Sequence, residues 1–327
     1  MPIYVYFQGF AMCDRQKFQA GIVKSPSTVN LSASEHGYWH GYRTDRAMNQ
    51  TAQANLAAQS DLVEAPINYL GESDVKPVTY IPELGADVTR RDGRIDEHVV
   101  PIRNGRPKAE TFTIEKEGFV FVEHRSAVAD FYDDAEVEAV YYPETAEIVK
   151  AATGAAHVVV FDHTVRASTE ETRVEKLVRE PVRMAHNDYT DRSAPQRVRD
   201  LLSAEEAEAR LAGRFAVVQV WRPIGAPVQR SPLAICDAQS IATEDLKVTE
   251  LRYGNRVGEV LQLAYNPAHA WYYFPKMTRD EALVFKCYDS LTDGRARYTA
   301  HSAFEHPDTP PTAPERESIE MRTFAFY

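Results

Sequence analysis

Hydrophobic positions in the second half of the chain recur in short, closely spaced runs. Most runs are rich in β-branched and aromatic residues, and turn signals such as Asn266-Pro267 and Asp293-Gly294 separate them. A doubly wound parallel sheet needs a helix after nearly every strand, and too few helical patterns lie between these runs. The pattern predicts a mainly β protein with flanking helices, built as an antiparallel sandwich or jelly roll. The predicted strands cover residues 157–161, 182–189, 215–221, 233–236, 260–265, 271–274, 282–288, 295–302 and 319–326.

Two helices stand out by their capping residues. One is predicted over residues 143–152, with acidic residues in its first turn and Gly154 after its end. The other is predicted over residues 203–212, where Ser203 is a favourable N-cap and acidic residues follow it. Both lie beside predicted strands, so we expect them to flank the β core.

The first third of the chain carries weaker patterns. Residues 43–62 are rich in Ala, Gln and Asn and are predicted to form a helix. Between Asn68 and Pro107, repeated prolines predict loops that connect short extended pieces. Two further strands are predicted at residues 112–114 and 119–122.

The composition describes a folded, acidic chain. Hydrophobic residues make up 44% of the 327 residues, and 48 acidic against 37 basic side chains give a net charge of −11. The acidic balance argues against a nucleic-acid partner, because phosphate binding needs clustered Lys and Arg. No apolar run approaches the roughly 20 residues of a membrane helix, so no membrane partner is expected.

Cysteine usage indicates a reducing compartment. Cys13, Cys236 and Cys287 are too few and too scattered for a disulfide framework, and no Cys-x-x-Cys pair exists. We therefore expect a cytoplasmic protein. Cys236 and Cys287 lie in strand-like runs and are predicted to behave as small buried hydrophobic residues.

The sequence lacks the motifs of several common active sites. It contains no Gly-x-Gly-x-x-Gly, no phosphate-binding Gly-Lys-Ser/Thr loop and no Gly-x-Ser-x-Gly elbow. Fifteen glycines among 327 residues also leave few places where backbone could surround a phosphate. Nucleotide cofactors are therefore not expected.

The strongest candidate for chemistry is the segment His186-Asn187-Asp188. On a strand, residues i and i+2 share a face, so His186 and Asp188 could reach one metal ion. A distant His would complete the 2-His-1-carboxylate set of non-haem Fe(II) oxygenases, which leaves three metal positions open. The spacing alone is ambiguous, since the His and acid content gives about 1.5 such pairs by chance. A His and an Asp that flank a turn would look the same.

Three histidines are candidates for the third ligand. His301 would share a strand face with Arg297 and Thr299, which is a polar face unlike a packed core. His269 lies in a hairpin-like turn, and His306 stands next to a proline in a loop. We favour His301 and keep the other two as alternatives.

Arg316 and Ser318 open the final predicted strand, after His301. In oxygenases that use 2-oxoglutarate, the distal His lies one strand before an Arg that binds the far carboxylate. The planar guanidinium matches a carboxylate with two hydrogen bonds, and a Ser two residues later shares its face. The order His301, Arg316, Ser318 therefore predicts a binding site for 2-oxoglutarate.

Other polar and aromatic residues are expected to be structural. Arg222 and Lys286 could line a pocket, but pairing with Asp237 or Asp289 is the favoured interpretation. The aromatic run 271–274 is expected to pack within a sheet, rather than to form a wall of the substrate pocket.

Several blocks of the sequence resemble one enzyme family. The match covers roughly residues 110 to 327 and resembles the gibberellin-desaturase-like family. That family includes the cephamycin C-7 methoxylation component, fungal hydroxylases and desaturases, and an endoperoxide-forming enzyme. The blocks are residues 157–166, 185–190, 221–223, 232–237, 271–275, 285–290, 299–304 and 316–320.

The resemblance implies a double-stranded β-helix, a cupin-like jelly roll, that binds Fe(II) and uses 2-oxoglutarate as cosubstrate with O2. On matching positions it implies His186, Asp188 and His301 as metal ligands. Arg316 would bind 2-oxoglutarate, with Ser318 assisting. The substrate is expected to be a small secondary metabolite, and the reaction a hydroxylation, desaturation or oxidative cyclisation that begins with C–H abstraction. The fold does not fix the substrate.

On this interpretation the chain is one structural domain with two parts. Residues 111–327 would form the oxygenase core, and residues 1–110 an N-terminal extension that packs on the core and covers the substrate. Two alternatives stay open. A methyltransferase is suggested by the methoxylation member, but the chain lacks a glycine-rich nucleotide loop. A metal-free accessory protein could use the same scaffold.

Overall fold

A computed structural model of the chain describes residues 61–81, 90–254 and 256–327. The helix predicted over residues 43–62 falls, up to residue 60, outside these ranges. Residues 61–327 form one compact unit, in which strands clearly outnumber helices.

The described strands form two sheets. One contains β1 (Leu62–Leu70), β2 (Val78–Tyr80), β3 (Arg90–Asp92), β4 (Ile95–Asn104), β7 (His186–Asn187), β9 (Leu233–Cys236), β10 (Leu246–Arg252), β11 (Val257–Leu263), β12 (Trp271–Tyr273) and β14 (His301–Ala303). The other contains β5 (Phe119–Glu123), β6 (His157–Ala167), β8 (Phe215–Pro223), β13 (Glu281–Asp289) and β15 (Glu317–Phe326). The orders are β1-β4-β12-β9-β14-β7-β11-β10-β2-β3 and β5-β13-β8-β15-β6. Most neighbours are antiparallel; β2–β10 and β4–β12 are parallel.

Four α-helices longer than one turn lie among the described residues: α1 (Tyr142–Thr153), α2 (Glu170–Lys176), α3 (Ser193–Leu201) and α4 (Ala204–Leu211). A single turn of α-helix (Asp134–Glu136) and a π-turn (Val137–Tyr141) lead into α1. The predictions of α1 and α4 are confirmed: Gly154 ends α1 in the left-handed region at φ 72°, and Ser203 caps α4. None of the described helices is long and apolar enough to cross a membrane.

The alternation of side chains along β8 divides the interior into two packed layers. Val217 and Trp221 point between the sheets, where they join Ile235 and Tyr272 of the larger sheet. Ala216, Val218 and Val220 point to the opposite face, which the α1 side chains cover. Because every residue of β8 is buried, its sequence is an almost continuous apolar run.

Several predictions from the sequence are wrong. The proline-rich stretch from Asn68 to Pro107 contains the end of β1 and all of β4, which pair along their whole lengths. Pro66 is accommodated because β1 is an edge strand, where a missing N–H is tolerated. Residues 112–114 are not a strand, and the predicted strands 182–189 and 295–302 shrink to short segments at His186 and His301.

Candidate metal and cosubstrate site

Three predicted metal ligands lie together on adjoining strands of the larger sheet. His186 of β7 and His301 of β14 are direct partners in antiparallel register, and their ring centres are 4.4 Å apart. Asp188 stands just after β7, with Oδ1 3.3 Å from Nε2 of His186. One potential ligand atom of each residue lies within 4.8 Å of the other two. His269 and His306 lie elsewhere, where they contact Asp245 and Tyr273 respectively.

The two imidazoles are oriented by backbone carbonyls. Nδ1 of His186 lies 2.7 Å from the Met184 carbonyl oxygen, and Nδ1 of His301 lies 3.3 Å from that of Thr299. A carbonyl can only accept, so each Nδ1 carries a proton and each Nε2 is the nitrogen available to a metal ion. Histidine metal ligands are typically held in this way. Two imidazole nitrogens and one carboxylate form the donor set that suits Fe(II).

Both the carboxylate and the distal imidazole are in the charge state that a metal requires. Burial acts to raise the pKa of Asp188, but the hydrogen bond with His186 and the charge of Arg322 hold it well below its usual value. Burial, with His186 adding to it, lowers the pKa of His301 to about 4. At neutral pH Asp188 is therefore an anion and His301 is uncharged.

The second oxygen of Asp188 is held by residues that the sequence analysis missed. Gln219 of β8 donates a hydrogen bond from Nε2 to Asp188 Oδ2, and Nε of Arg322 lies 3.5 Å from the same oxygen. Arg322 also donates from Nη1 to Asp162 at 2.9 Å and from Nη2 to Glu320 at 2.5 Å. These contacts anchor Oδ2 and leave Oδ1 on the side of the histidines.

The sequence of the final strand, β15, contains a pattern that could have identified Arg322. Positions 316, 318, 320 and 322 alternate with the buried apolar residues Ile319 and Met321, so all four polar side chains share the inner face. Gln219 is similarly a single polar residue within the apolar run of β8. Asp162 lies in the ion-pair network behind Asp188.

Arg316 is buried beside Ser318 with one nitrogen free. Its side chain donates from Nε to the Ser318 hydroxyl at 3.1 Å and from Nη1 to the Ser231 carbonyl oxygen at 2.8 Å. Nη2 makes no hydrogen bond to any residue that the structure describes. Burial, with the charge of Arg166 adding to it, lowers the pKa of Arg316 to about 9. The guanidinium is still charged at neutral pH and can bind an anion.

Of the two polar residues expected to form structural ion pairs, Lys286 pairs with a predicted partner and Arg222 does not. Lys286 pairs with Asp289 as predicted, with Nζ 2.8 Å from Oδ2. Arg222 pairs with neither predicted partner, because it alternates with Trp221 and so faces the helix side of β8. There its Nη2 donates to the His124 carbonyl oxygen at 2.6 Å.

Two of the cysteines, Cys236 and Cys287, and the aromatic run 271–274 are buried as predicted. Cys236 and Cys287 are fully buried and carry no disulfide. Burial raises the pKa of the Cys236 thiol to about 12, so the thiol is un-ionised at neutral pH. Residues 271–274 are all buried, and the first three of them form β12.

Comparison with known proteins yields one family and several relatives. A family profile described as "Oxidoreductase/YMDC permease-like domain" matches residues 67–326. The Fe(II)/2-oxoglutarate-dependent dioxygenase nvfI of Aspergillus novofumigatus is 37% identical over 238 residues, which are 70% of this chain and 83% of that protein. The alpha-ketoglutarate-dependent dioxygenase phiK of a fungal species is 30% identical over 84% of this chain and 99% of its own length. The hydroxylase/desaturase efuI of Hormonema carpetanum is 30% identical over 83% of this chain and 97% of its own length.

A solved structure agrees with the fold described above. The iron and alpha-ketoglutarate-dependent endoperoxidase NvfI superposes with a TM-score of 0.72 at 30% sequence identity. The match covers 81% of this chain and 98% of that chain. The predicted fold class, a mainly β protein with a double-stranded β-helix core and flanking helices, is therefore confirmed.

Proposed function

The chain belongs to the Fe(II)/2-oxoglutarate-dependent dioxygenases, and on that premise we propose that His186, Asp188 and His301 are its iron ligands. Its cofactor is Fe(II), its cosubstrates are 2-oxoglutarate and O2, and its substrate is a small molecule of secondary metabolism. The observation that carries the proposal is the set of three donor groups within 4.8 Å of one another. When bound, the iron and 2-oxoglutarate supply the oxidising power that breaks a substrate C–H bond.

We propose that Arg316 binds the far carboxylate of 2-oxoglutarate. A buried guanidinium with one free nitrogen needs a compensating anion, and a carboxylate fits its planar geometry. Ser318 accepts a hydrogen bond from Nε of Arg316 and so orients the guanidinium. Its own hydroxyl hydrogen can be donated to the same carboxylate.

Gln219 and Arg322 have a positioning role in this proposal. They hold Oδ2 of Asp188, so the carboxylate presents a single oxygen, Oδ1, to the metal. A carboxylate that binds through one oxygen occupies one coordination position. With two histidines, three positions are then left for 2-oxoglutarate and O2.

The reaction is an oxidation that begins at a C–H bond. The relatives named above are dioxygenases, a hydroxylase/desaturase and an endoperoxidase, and none supports a methyltransferase or a metal-free accessory protein. Hydroxylation, desaturation and ring formation share the hydrogen abstraction step. The acidic composition argues against a nucleic-acid partner, and the small number of cysteines supports a cytoplasmic location for the protein.

We propose that residues 1–110 pack on the core and cover the substrate, while residues 111–327 form the core. Support for one structural domain comes from the larger sheet, in which β4 pairs with β12 and β2 pairs with β10, so strands from before and after residue 110 share one sheet. A deletion of residues 1–60 would test the covering role: we expect the deletion variant to bind Fe(II) and 2-oxoglutarate normally and to bind the substrate weakly. Normal substrate binding by this variant would contradict the covering role of residues 1–60.

The ligand assignment is tested by anaerobic addition of Fe(II) and 2-oxoglutarate to the purified protein. A visible charge-transfer band is expected, because the 2-oxo acid chelates the iron. His301→Ala and Asp188→Ala should abolish the band, whereas His306→Ala should keep it. A band that survives in His301→Ala and disappears in His306→Ala would overturn the choice of distal ligand.

A further inference from the structure

Trp221 is a buried aromatic residue beside the proposed anchor of 2-oxoglutarate. Its side chain lies on the inner face of β8, is 2% exposed and packs in the core between the sheets. The centre of its ring is 5.1 Å from the guanidinium carbon of Arg316. Its direct partner across the β8–β15 pair is Glu320, which lies on the same inner face as Arg316 and Ser318.

The indole N–H of Trp221 has no acceptor. Nε1 is buried and makes no hydrogen bond to any residue within the described ranges. Buried Trp N–H groups normally have a partner, because an unpaired donor that has left water costs free energy. Trp271 shows the usual arrangement, since its Nε1 donates to the Tyr69 hydroxyl at 2.7 Å.

The nearby carboxylate of the protein is already engaged. Glu320 accepts hydrogen bonds from Arg166 at 2.7 Å and from Arg322 at 2.5 Å, both at Oε1. These two guanidinium groups hold the pKa of Glu320 near 2 against the effect of burial, so the carboxylate is ionised and compensated. Although Glu320 is its cross-strand partner, Trp221 makes no hydrogen bond to it through the indole N–H, which is left for an acceptor that the described residues do not supply.

Two unpaired donors in one place define the chemistry of their ligand. Nη2 of Arg316 and Nε1 of Trp221 both lack partners, and their side chains are in contact range. One donor is charged and one is neutral, so an anion with two acceptor oxygens satisfies both. We infer that Trp221 donates its indole N–H to the far carboxylate of 2-oxoglutarate, beside Arg316. This inference rests on the proposed role of Arg316.

Such a donor would make the site select a dicarboxylic oxo acid. With a ligand that has a methyl group in place of the far carboxylate, the buried N–H would stay unpaired. Sites built to hydrogen-bond a polar group reject the analogue that lacks it, because their own polar groups are then left without partners. Trp221 would thus contribute to the preference for 2-oxoglutarate over monocarboxylic 2-oxo acids.

The test compares 2-oxoglutarate with 2-oxopentanoate in the full-length Fe(II)-loaded protein under anaerobic conditions. The two acids share the chelating end and the chain length, and only the far carboxylate is replaced by methyl. Trp221→Phe keeps most of the ring and removes the N–H. We expect about tenfold weaker binding of 2-oxoglutarate, unchanged binding of 2-oxopentanoate and an unchanged Tm without ligand. Equal weakening for both acids, or no weakening for 2-oxoglutarate, would overturn the inference.

Two further variants separate the possible failures. Trp271→Phe loses an existing hydrogen bond to Tyr69, so it should lower the Tm and leave the preference between the two acids unchanged. Arg316→Met should remove most of that preference. If Arg316→Met removes the preference for 2-oxoglutarate and Trp221→Phe leaves that preference unchanged, the inference about Trp221 is wrong. The proposed role of Arg316 is then supported. If neither variant changes the preference, both the inference and the proposed anchor are wrong.

Discussion

The buried charge of Arg316 leads to a prediction that links the thermal stability of the protein to 2-oxoglutarate binding. Burial, together with Arg166, lowers the pKa of its guanidinium to about 9. This decrease corresponds to a penalty on the order of 5 kcal/mol for the charged side chain in the ligand-free fold. The pKa is lowered on folding, so the penalty is present at every pH below about 9, including neutral pH. We expect Arg316→Met not to lower the Tm of the ligand-free protein, because the variant loses two hydrogen bonds and also this penalty.

The same substitution should abolish stabilisation by 2-oxoglutarate. A ligand at 100 times its Kd adds about 2.7 kcal/mol, which corresponds to about 5 °C in Tm for a fold of this size. Loss of a buried charge pair weakens binding by about 2–5 kcal/mol, so the shift should fall below about 2 °C at the same ligand concentration. Thermal unfolding of the Fe(II)-loaded protein without oxygen measures both effects. Arg199→Met, which changes an exposed arginine paired with Glu208, is the matched control. A normal 2-oxoglutarate shift in Arg316→Met would refute the reasoning.

Two further predictions concern the residues behind Asp188. Gln219→Ala removes the hydrogen bond to Asp188 and should weaken Fe(II) binding by about 10–100-fold, as measured by metal titration; unchanged affinity would contradict its positioning role. Arg322→Met removes the ion pairs with Asp162 and Glu320 and the contact with Asp188, and should lower the free energy of unfolding by about 3–5 kcal/mol in denaturant titrations. A loss below about 1 kcal/mol would show that the network does not support the site.

The strands that could be predicted from the sequence are those with uniform burial. β8 and β13 are buried along their lengths, so their apolar runs identify them without knowledge of their partners. β10 is not predicted because it has no apolar run: its one buried residue is the polar Thr249, and its Val248 is exposed. Prolines obscured β1 and β4 in the sequence. Pro66 is tolerated because β1 is an edge strand, and only the assembled sheet defines that edge position.

The proposed iron ligands could be predicted from the sequence, but the contacts that neighbouring residues make with them could not. His186 and Asp188 share a short local pattern, and the order of His301, Arg316 and Ser318 along the chain has a chemical meaning. Gln219 and Trp221 contact residues on strands that are far apart in sequence. The alternation of side chains along β8 shows which face each residue occupies, but it does not identify the residues that it contacts. The pairing of β8 with β15 brings Gln219 and Trp221 beside Arg322 and Glu320 respectively.

The central claim is that the three clustered side chains bind the iron. It is tested most directly by anomalous diffraction at the iron absorption edge, from crystals prepared with Fe(II) in the absence of oxygen. The account predicts one anomalous peak within bonding distance of Nε2 of His186, Nε2 of His301 and a single oxygen of Asp188. A peak bound by other side chains, or no peak at these three in protein that turns over 2-oxoglutarate, would contradict it.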